Sequence, residues 1–199
     1  MMKRVNLIFL ALLLCISVHS QINVKVELNG NFAIGKMADY FVGGPGADIN
    51  VKYLIENKLG IGITAGFQHF FAKDWEGGYD DIGMDIIPIR GLLSYYFGEN
   101  SVRPYLGGEL GLNLTTIKYT YDYYDNYGGY SSLIYYNYSH TRFGAALVAG
   151  LQFDLTSNLA LDLNAKLNLI SKVSDEAPEQ SASYIGFNFG LVYKFVENK

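Results

Sequence analysis

Residues 159–169 read Leu-Ala-Leu-Asp-Leu-Asn-Ala-Lys-Leu-Asn-Leu, with an apolar side chain at every odd position. The even positions carry Ala160, Asp162, Lys166 and two asparagines. In a β-strand successive side chains point to opposite faces, so this stretch has one apolar and one charged face. A helix would spread the same leucines around its circumference. The stretch therefore predicts a β-strand that separates an apolar environment from a polar one.

Seven further segments alternate in the same way, some of them more weakly: residues 24–34, 47–55, 59–67, 87–97, 106–114, 143–153 and 185–195. The chain of 199 residues contains 22 glycines, 17 tyrosines and 12 phenylalanines, a mixture typical of β-structure. Only 17% of the residues are charged and 50% are hydrophobic, which excludes a disordered chain, a coiled coil and a basic nucleic-acid binder. We therefore expect one all-β domain of eight strands and no nucleic-acid partner.

The connections between these segments alternate strictly between short and long. Short connections fall at residues 56–58, 98–101 and 154–158, and long ones at residues 35–46, 72–83, 118–140 and 171–182. A transmembrane β-barrel has short periplasmic turns and longer extracellular loops. The pattern therefore predicts an eight-stranded antiparallel up-and-down transmembrane barrel, with both termini in the periplasm and the long loops outside the cell.

Aromatic residues at both ends of the apolar stripes favour the barrel over the alternative, a secreted β-sandwich, because barrels in lipid carry aromatic girdles at both interfaces. The girdle predicted for the periplasmic side consists of Tyr53, Tyr95, Phe97, Phe153, Tyr193 and Phe195. The one predicted for the outer rim consists of Phe67, Phe71, Phe143 and Tyr184.

Residues 1–20 are typical of a cleavable secretory signal peptide, and residues 21–199 form the predicted barrel domain. Lys3 and Arg4 give a basic start, an apolar run follows, and Ser20 is the small residue before the predicted cleavage. A membrane anchor is the alternative, but the apolar run is shorter than the 20 or so residues that a spanning helix needs. Cys15 follows three leucines rather than the small residue that lipoprotein signals place before their cysteine.

Three stretches carry a family resemblance: Ile-Pro-Ile-Arg-Gly-Leu-Leu-Ser-Tyr-Tyr-Phe-Gly at 87–98, Arg-Pro-Tyr-Leu-Gly-Gly at 103–108, and Gly-Phe-Asn-Phe-Gly-Leu-Val-Tyr-Lys-Phe at 186–195. In these the chain resembles the small porin-like eight-stranded outer-membrane barrels of Gram-negative bacteria, particularly those of Bacteroidetes. The resemblance implies outer-membrane lipids and lipopolysaccharide as surroundings and insertion by the barrel-assembly machinery, which reads a terminal aromatic residue. Here residues 196–199 follow Phe195. Pro88, inside a strand, predicts a β-bulge because it lacks a backbone N–H.

The polar faces of the strands predict a charged barrel interior. Ten residues have inward parity: Lys25, Glu27, Asp48, Lys52, Arg90, Tyr105, Glu109, Asp162, Lys166 and Lys194. Charges in so narrow a space must pair or be solvated. If the turn at residues 98–101 pairs Phe97 with Val102, Arg90 lies opposite Glu109, and we predict an ion pair between them. Paired charges close the interior; a gate or narrow ion path is the alternative.

Few residues suggest catalysis. Outer-membrane lipid-modifying enzymes of this size use histidine with serine and an acid, so His69 and His140 are the candidates, and both fall near the outer rim. The acidic residues around Asp80 and Asp81 do not follow a calcium-loop order. We predict no catalytic residues, no metal site and no cofactor.

The third long connection is rich in tyrosine, which supplies amphipathic contact area at low entropic cost. Its candidate ligand-binding residues are Tyr121, Tyr123, Tyr124, Tyr127, Tyr130, Tyr135 and Tyr136. A surface glycan or protein is the ligand class we expect, and a β-hairpin without a ligand is the alternative. The leading hypothesis is a non-enzymatic barrel that serves envelope integrity or surface interaction through its loops; the others are an outer-leaflet lipid-modifying enzyme and a narrow solute pore.

Overall fold

The alternating segments form eight antiparallel strands that close into one barrel, in which each strand pairs with its neighbours in sequence and the last pairs with the first. The computed structural model describes residues 21–73, 79–98, 100–124, 131–171 and 182–195. The predicted fold is confirmed, whereas the predicted signal peptide lies outside the described residues. The strands are β1 (Gln21–Ile34), β2 (Phe41–Ile55), β3 (Leu59–Ala72), β4 (Tyr79–Tyr96), β5 (Val102–Tyr124), β6 (Ser131–Asp154), β7 (Leu159–Ile170) and β8 (Ser183–Phe195).

The two faces of the barrel wall have opposite chemistry. Large apolar side chains point outward, and Leu28 on β1 and Leu147 on β6 are 67% and 64% exposed. The ten predicted inward residues are all buried. A water-soluble protein rarely exposes so continuous an apolar surface, whereas a barrel in lipid requires one. In the described part of the chain, no helix is long and apolar enough to cross a membrane.

The connections are shorter than predicted at one end of the barrel, because the strands run on into the sequence assigned to loops. We call this end, where β1–β2, β3–β4, β5–β6 and β7–β8 connect, the loop end, and the opposite end the turn end. Of the loop predicted at 35–46, residues 35–39 form a short 3-10 helix, Gly35–Asp39, and residues 41–46 belong to β2. The loop predicted at 118–140 is largely hairpin, because β5 continues to Tyr124 and β6 starts at Ser131.

The predicted register between β4 and β5 is wrong by two residues. Arg90 pairs with Gly111, and Glu109 pairs with Leu92. The turn is longer than assumed: the last pair of the two strands is Tyr96 with Tyr105, and the connection contains Gly98 at a φ of +84°. Because the shift is an even number of residues, Arg90 and Glu109 still point into the barrel.

Two local predictions are also wrong. The strand pairing continues past Pro88 without a change of register, so Pro88 marks no bulge. Tyr184 is not part of the outer girdle, because it is 2% exposed and lies inside the barrel. Its own strand explains this: Ile185 and Phe187 face outward, and the residue before Ile185 must therefore face inward.

Gly62 permits a close approach of β2 and β3. A β-carbon at this position would collide with the carbonyl oxygen of Val51 and would lie 2.8 Å from the Cα of Lys52. We expect Gly62→Ala to lower the free energy of unfolding by about 1–3 kcal/mol, since the strands would have to separate. Urea titration of the refolded barrel measures this change. Gly30→Ala is the control because it meets no atom within 4 Å, and equal stability of the two variants would contradict the prediction.

Candidate functional site

A buried ion network occupies the middle of the barrel, and Lys166 is its centre. The Lys166 Nζ lies 3.0 Å from Glu109 Oε1, 3.1 Å from Asp48 Oδ2 and 3.5 Å from Glu27 Oε1. Lys166 lies on β7 and Asp48 on β2, with β8 and β1 between them, so one ammonium group connects strands that are not neighbours in the sheet. The network therefore ties the wall together across the interior.

A second lysine and an arginine extend the network. Lys25 Nζ lies 2.7 Å from Glu27 Oε2 and 3.1 Å from Asp162 Oδ1. Arg90 Nη1 lies 3.5 Å from Glu109 Oε2 and donates to Asn168 Oδ1 at 2.6 Å. Arg90 and Glu109 thus contact each other diagonally rather than as directly opposed residues. Each of these charges has an opposite charge within 3.5 Å, which offsets much of the cost of removing it from water.

Sequence reasoning missed the amide side chains that complete this network. They lie on the inward faces with the ions, and among the described residues they include Asn31, Asn50, Gln68, Asn113, Asn164, Asn168 and Asn188. The amides occupy positions of the same parity as the charged residues, so the alternation could have identified them as inward-facing. The NH2 group of an amide has two N–H donors, so Asn164 donates to the carboxylates of both Glu27 and Asp162 and links them.

Aromatic rings and cations close the turn end of the interior. Lys52 Nζ lies 5.1 Å from the ring centre of Tyr96 and 5.3 Å from that of Tyr105, and donates to the Tyr96 hydroxyl at 2.8 Å. Arg103 also lies over Tyr96, at 5.3 Å. Tyr105 in turn donates to Asp162 at 2.9 Å. Cation–π contacts and these hydrogen bonds fix the side chains across the opening.

An apolar cluster closes the loop end of the interior. The 3-10 helix turns inward, so that Met37 is 3% exposed, and the rings of Phe70 and Tyr184 meet edge to face at 5.0 Å. The other members of the cluster are Phe41, Met84, Ile86, Ile170 and Ala182. Two interior cavities, of about 10 and 20 Å³, have room for roughly one water molecule each. The described part of the barrel is filled by its own side chains.

A polar cluster lies on the outside of the wall near the loop end. His69 Nδ1 is 2.7 Å from Asp85 Oδ1, and Lys118 Nζ is 2.6 Å from Asp85 Oδ2. The His69 ring meets Phe71 edge to face at 4.8 Å. We call His69, Asp85 and Lys118 the rim cluster. Sequence reasoning noted the position of His69 but missed its partners, because they lie on other strands.

The rim cluster contains two elements of a hydrolytic site, a histidine and a carboxylate. Strand pairing places His69, Asp85, Thr116 and Ser139 side by side on β3, β4, β5 and β6. At about 4.8 Å per strand, the hydroxyls of Thr116 and Ser139 lie roughly 10 and 14 Å from His69, beyond hydrogen-bond reach. His140 lies opposite Thr115 on β6, three strands from His69. The row supplies His69 with no nucleophile.

The predicted tyrosine site falls on the β5–β6 hairpin. Tyr121, Tyr123 and Tyr124 belong to β5, and Tyr135 and Tyr136 belong to β6. The register pairs Thr120 with Tyr135 and Tyr119 with Tyr136. Tyr127 and Tyr130 lie outside the described residues. Within the described residues, no group of three or more His, Cys, Asp or Glu side chains is arranged to hold a metal ion.

A closed antiparallel barrel with an apolar outer wall and a filled polar interior defines a small β-barrel membrane protein. The model of the outer membrane protein beta-barrel domain family matches residues 7–195, and the chain belongs to this family. Its family places the protein in the outer membrane. A comparison with curated protein sequences finds no match.

Several solved structures share the fold. Neisserial surface protein A is 20% identical, with 87% of this chain and 97% of that chain covered and a TM-score of 0.57. The attachment invasion locus protein Ail of Yersinia pestis is 15% identical, with 89% and 100% covered and a TM-score of 0.54. The outer membrane enzyme PagL is 15% identical, with 83% and 97% covered and a TM-score of 0.51. At such identities the likeness concerns the fold, and this fold is found in an enzyme as well as in surface proteins.

Proposed function

We propose that this protein is a non-enzymatic outer-membrane barrel that contributes to envelope integrity and contacts surface ligands through the β5–β6 hairpin. In this proposal residues 1–20 are removed as a signal peptide and the barrel-assembly machinery inserts the chain. Both termini face the periplasm, and the loop end faces outward among lipopolysaccharide molecules. The orientation is supported by the connections, since those at the turn end are short and those at the loop end include the extended hairpin.

The length of the hairpin is the observation that carries this proposal. The last residue of β7, Ile170, pairs with Gly144 of β6, but β6 begins at Ser131. The 13 residues 131–143 therefore continue beyond that pairing, roughly 40 Å of strand. β5 accompanies β6 as far as the pair Tyr124 with Ser131. On the other side, β4 accompanies β5 as far as the pair Tyr79 with Tyr121, so the hairpin projects mainly past β7. A projecting hairpin rich in tyrosine suits contact with a surface ligand.

The filled interior and the rim cluster argue against the two other functions. A pore needs a continuous water-filled path, whereas the two interior cavities found among the described residues are each about the size of one water molecule. An enzyme that uses His69 needs a hydroxyl beside it. The strand order places the hydroxyls of Thr116 and Ser139 roughly 10 and 14 Å away.

Shortening the hairpin tests the proposal. Lys118 and Asn137 form a cross-strand pair, so residues 119–136 can be replaced by a two-residue Asn-Gly turn without changing the register below it. We expect the shortened barrel to fold, since surface insertions cost little in closure entropy, and to lose binding. Heat-modifiable gel migration measures folding; attachment of cells displaying the protein to glycan-coated and protein-coated surfaces measures binding.

A matched variant separates the tyrosines from the hairpin itself. It keeps the hairpin at full length and replaces its seven candidate tyrosines by serine. We expect this variant to lose binding as the shortened barrel does. Attachment at the parent level by both variants would refute a recognition role for the hairpin. Failure of the shortened barrel to fold would assign the hairpin to barrel stability instead.

A further inference from the structure

We propose that the rim cluster binds the phosphate group of an outer-leaflet lipid. The cluster lies at the loop-end edge of the apolar outer wall, where on β3 only one exposed large apolar side chain, that of Phe71, follows it among the described residues. Closer to the turn end, the exposed apolar side chains of Phe67 on β3 and Ile87 on β4 lie two residues from His69 and Asp85, and that of Leu114 on β5 lies four residues from Lys118. Charged side chains directly beyond such a surface lie at the level of the lipid headgroups.

The rim cluster fixes the ammonium group of Lys118 through Asp85, and Asp85 does not occupy all of the N–H donors of that group. Asp85 is 8% exposed, and His69 and Lys118 each occupy one of its two carboxylate oxygens. The Lys118 side chain is 55% exposed, so its ammonium group is anchored on one side and open on the other. An ammonium group has three N–H donors, and Asp85 uses one of them. An anion with several acceptor oxygens can accept hydrogen bonds from the other two N–H donors of Lys118.

Neutral donors extend the site along the same row. The hydroxyls of Thr116 and Ser139 lie 2.9 Å apart on the outward faces of β5 and β6. Thr116 is the cross-strand neighbour of Asp85 and lies two residues before Lys118 on the same face. A phosphate group has three or four oxygens and can accept from Lys118 and from such hydroxyls together. Lys118 is the binding residue in this inference, and Asp85 and His69 are positioning residues.

The location in the outer leaflet rests on the orientation proposed above, but the binding chemistry can be tested without it. The refolded full chain in uncharged detergent is mixed with lipid A that carries its phosphates, with the same lipid after enzymatic dephosphorylation, or with inorganic phosphate alone. Native mass spectrometry counts the bound molecules. We expect phosphorylated lipid A to bind about tenfold more tightly than either alternative, the effect of one or two charge-assisted hydrogen bonds.

Three variants locate the preference. Lys118→Gln removes the charge at an exposed position and is expected to abolish the preference for phosphorylated lipid, whereas Lys118→Arg keeps it. Lys36→Gln is the control, because Lys36 is an exposed lysine at the same end of the barrel. The shortened hairpin retains Lys118 and is expected to keep the preference, so failure of this inference is distinguishable from failure of the proposed function.

Four results would overturn the inference. Lys118→Gln could retain the full preference, or Lys36→Gln could lose as much of it, which would indicate diffuse surface charge. Equal binding of phosphorylated and dephosphorylated lipid A would mean that the phosphate is not recognised. Binding of inorganic phosphate as tightly as phosphorylated lipid would mean that the site takes a free anion rather than a lipid.

Discussion

Replacing Lys166 by methionine is expected to lower the free energy of unfolding by about 3–5 kcal/mol, the cost of breaking a buried ion network by removing one partner. Methionine has a similar length, so the change removes charge with little change in volume. Three carboxylates, those of Glu27, Asp48 and Glu109, lie within 3.5 Å of the ammonium group and would lose a shared counterion. Urea titration of the refolded barrel in detergent, followed by circular dichroism, measures the loss.

A second substitution tests whether the Asp48 carboxylate, left without its counterion, causes the loss of stability. Glu27 keeps Lys25 at 2.7 Å and Glu109 keeps Arg90 at 3.5 Å, but the remaining bond to Asp48 comes from the neutral amide of Gln68. Asp48→Asn in the Lys166→Met background is therefore expected to restore part of the stability, because it removes the least compensated charge. If Lys166→Met unfolds at the same urea concentration as the parent, the network does not stabilise the barrel.

The alternation of apolar and polar residues predicts the barrel because it reflects a local rule. Successive strand residues face opposite sides, so the parity of Asp162 and Lys166 in residues 159–169 determines which side chains lie inside. The same rule would have placed Tyr184 inside, since it precedes the outward-facing Ile185. The predicted girdle includes Tyr184 because this residue is aromatic and lies at the end of an apolar stripe. The parity of its position predicts its side of the wall correctly.

The features that the sequence did not predict depend on turn length or on contacts between distant strands. The turn after Tyr96 is two residues longer than predicted, which changes every pair between β4 and β5, and strand alternation is insensitive to an even shift. The contact of His69 with Asp85 links β3 to β4 and becomes visible only when the register is known. Met37 lies inside the barrel because the connection between β1 and β2 that contains it folds as a 3-10 helix. Strand periodicity cannot indicate such a helix.

The apolar outer wall gives the second large expected effect, which separates a barrel in lipid from a barrel in water. Leu147 lies near the middle of the outward stripe that runs from Phe143 to Phe153 on β6, and it is 64% exposed. An exposed leucine in water tolerates arginine with little change in stability. At the bilayer midplane the same arginine costs about 2–4 kcal/mol, because its charge must be accommodated in hydrocarbon.

We therefore expect Leu147→Arg to lower the free energy of unfolding by about 2–4 kcal/mol in lipid vesicles. Leu155→Arg is the matched control, because Leu155 is 54% exposed but lies in the turn between β6 and β7. Its cost should be about 0–1 kcal/mol, since the membrane penalty falls steeply toward the interface. Refolding from urea into vesicles measures both variants under one condition. Because both sites begin as exposed leucines, a difference between them reports depth in the membrane, and equal costs would mean that Leu147 does not face the hydrocarbon.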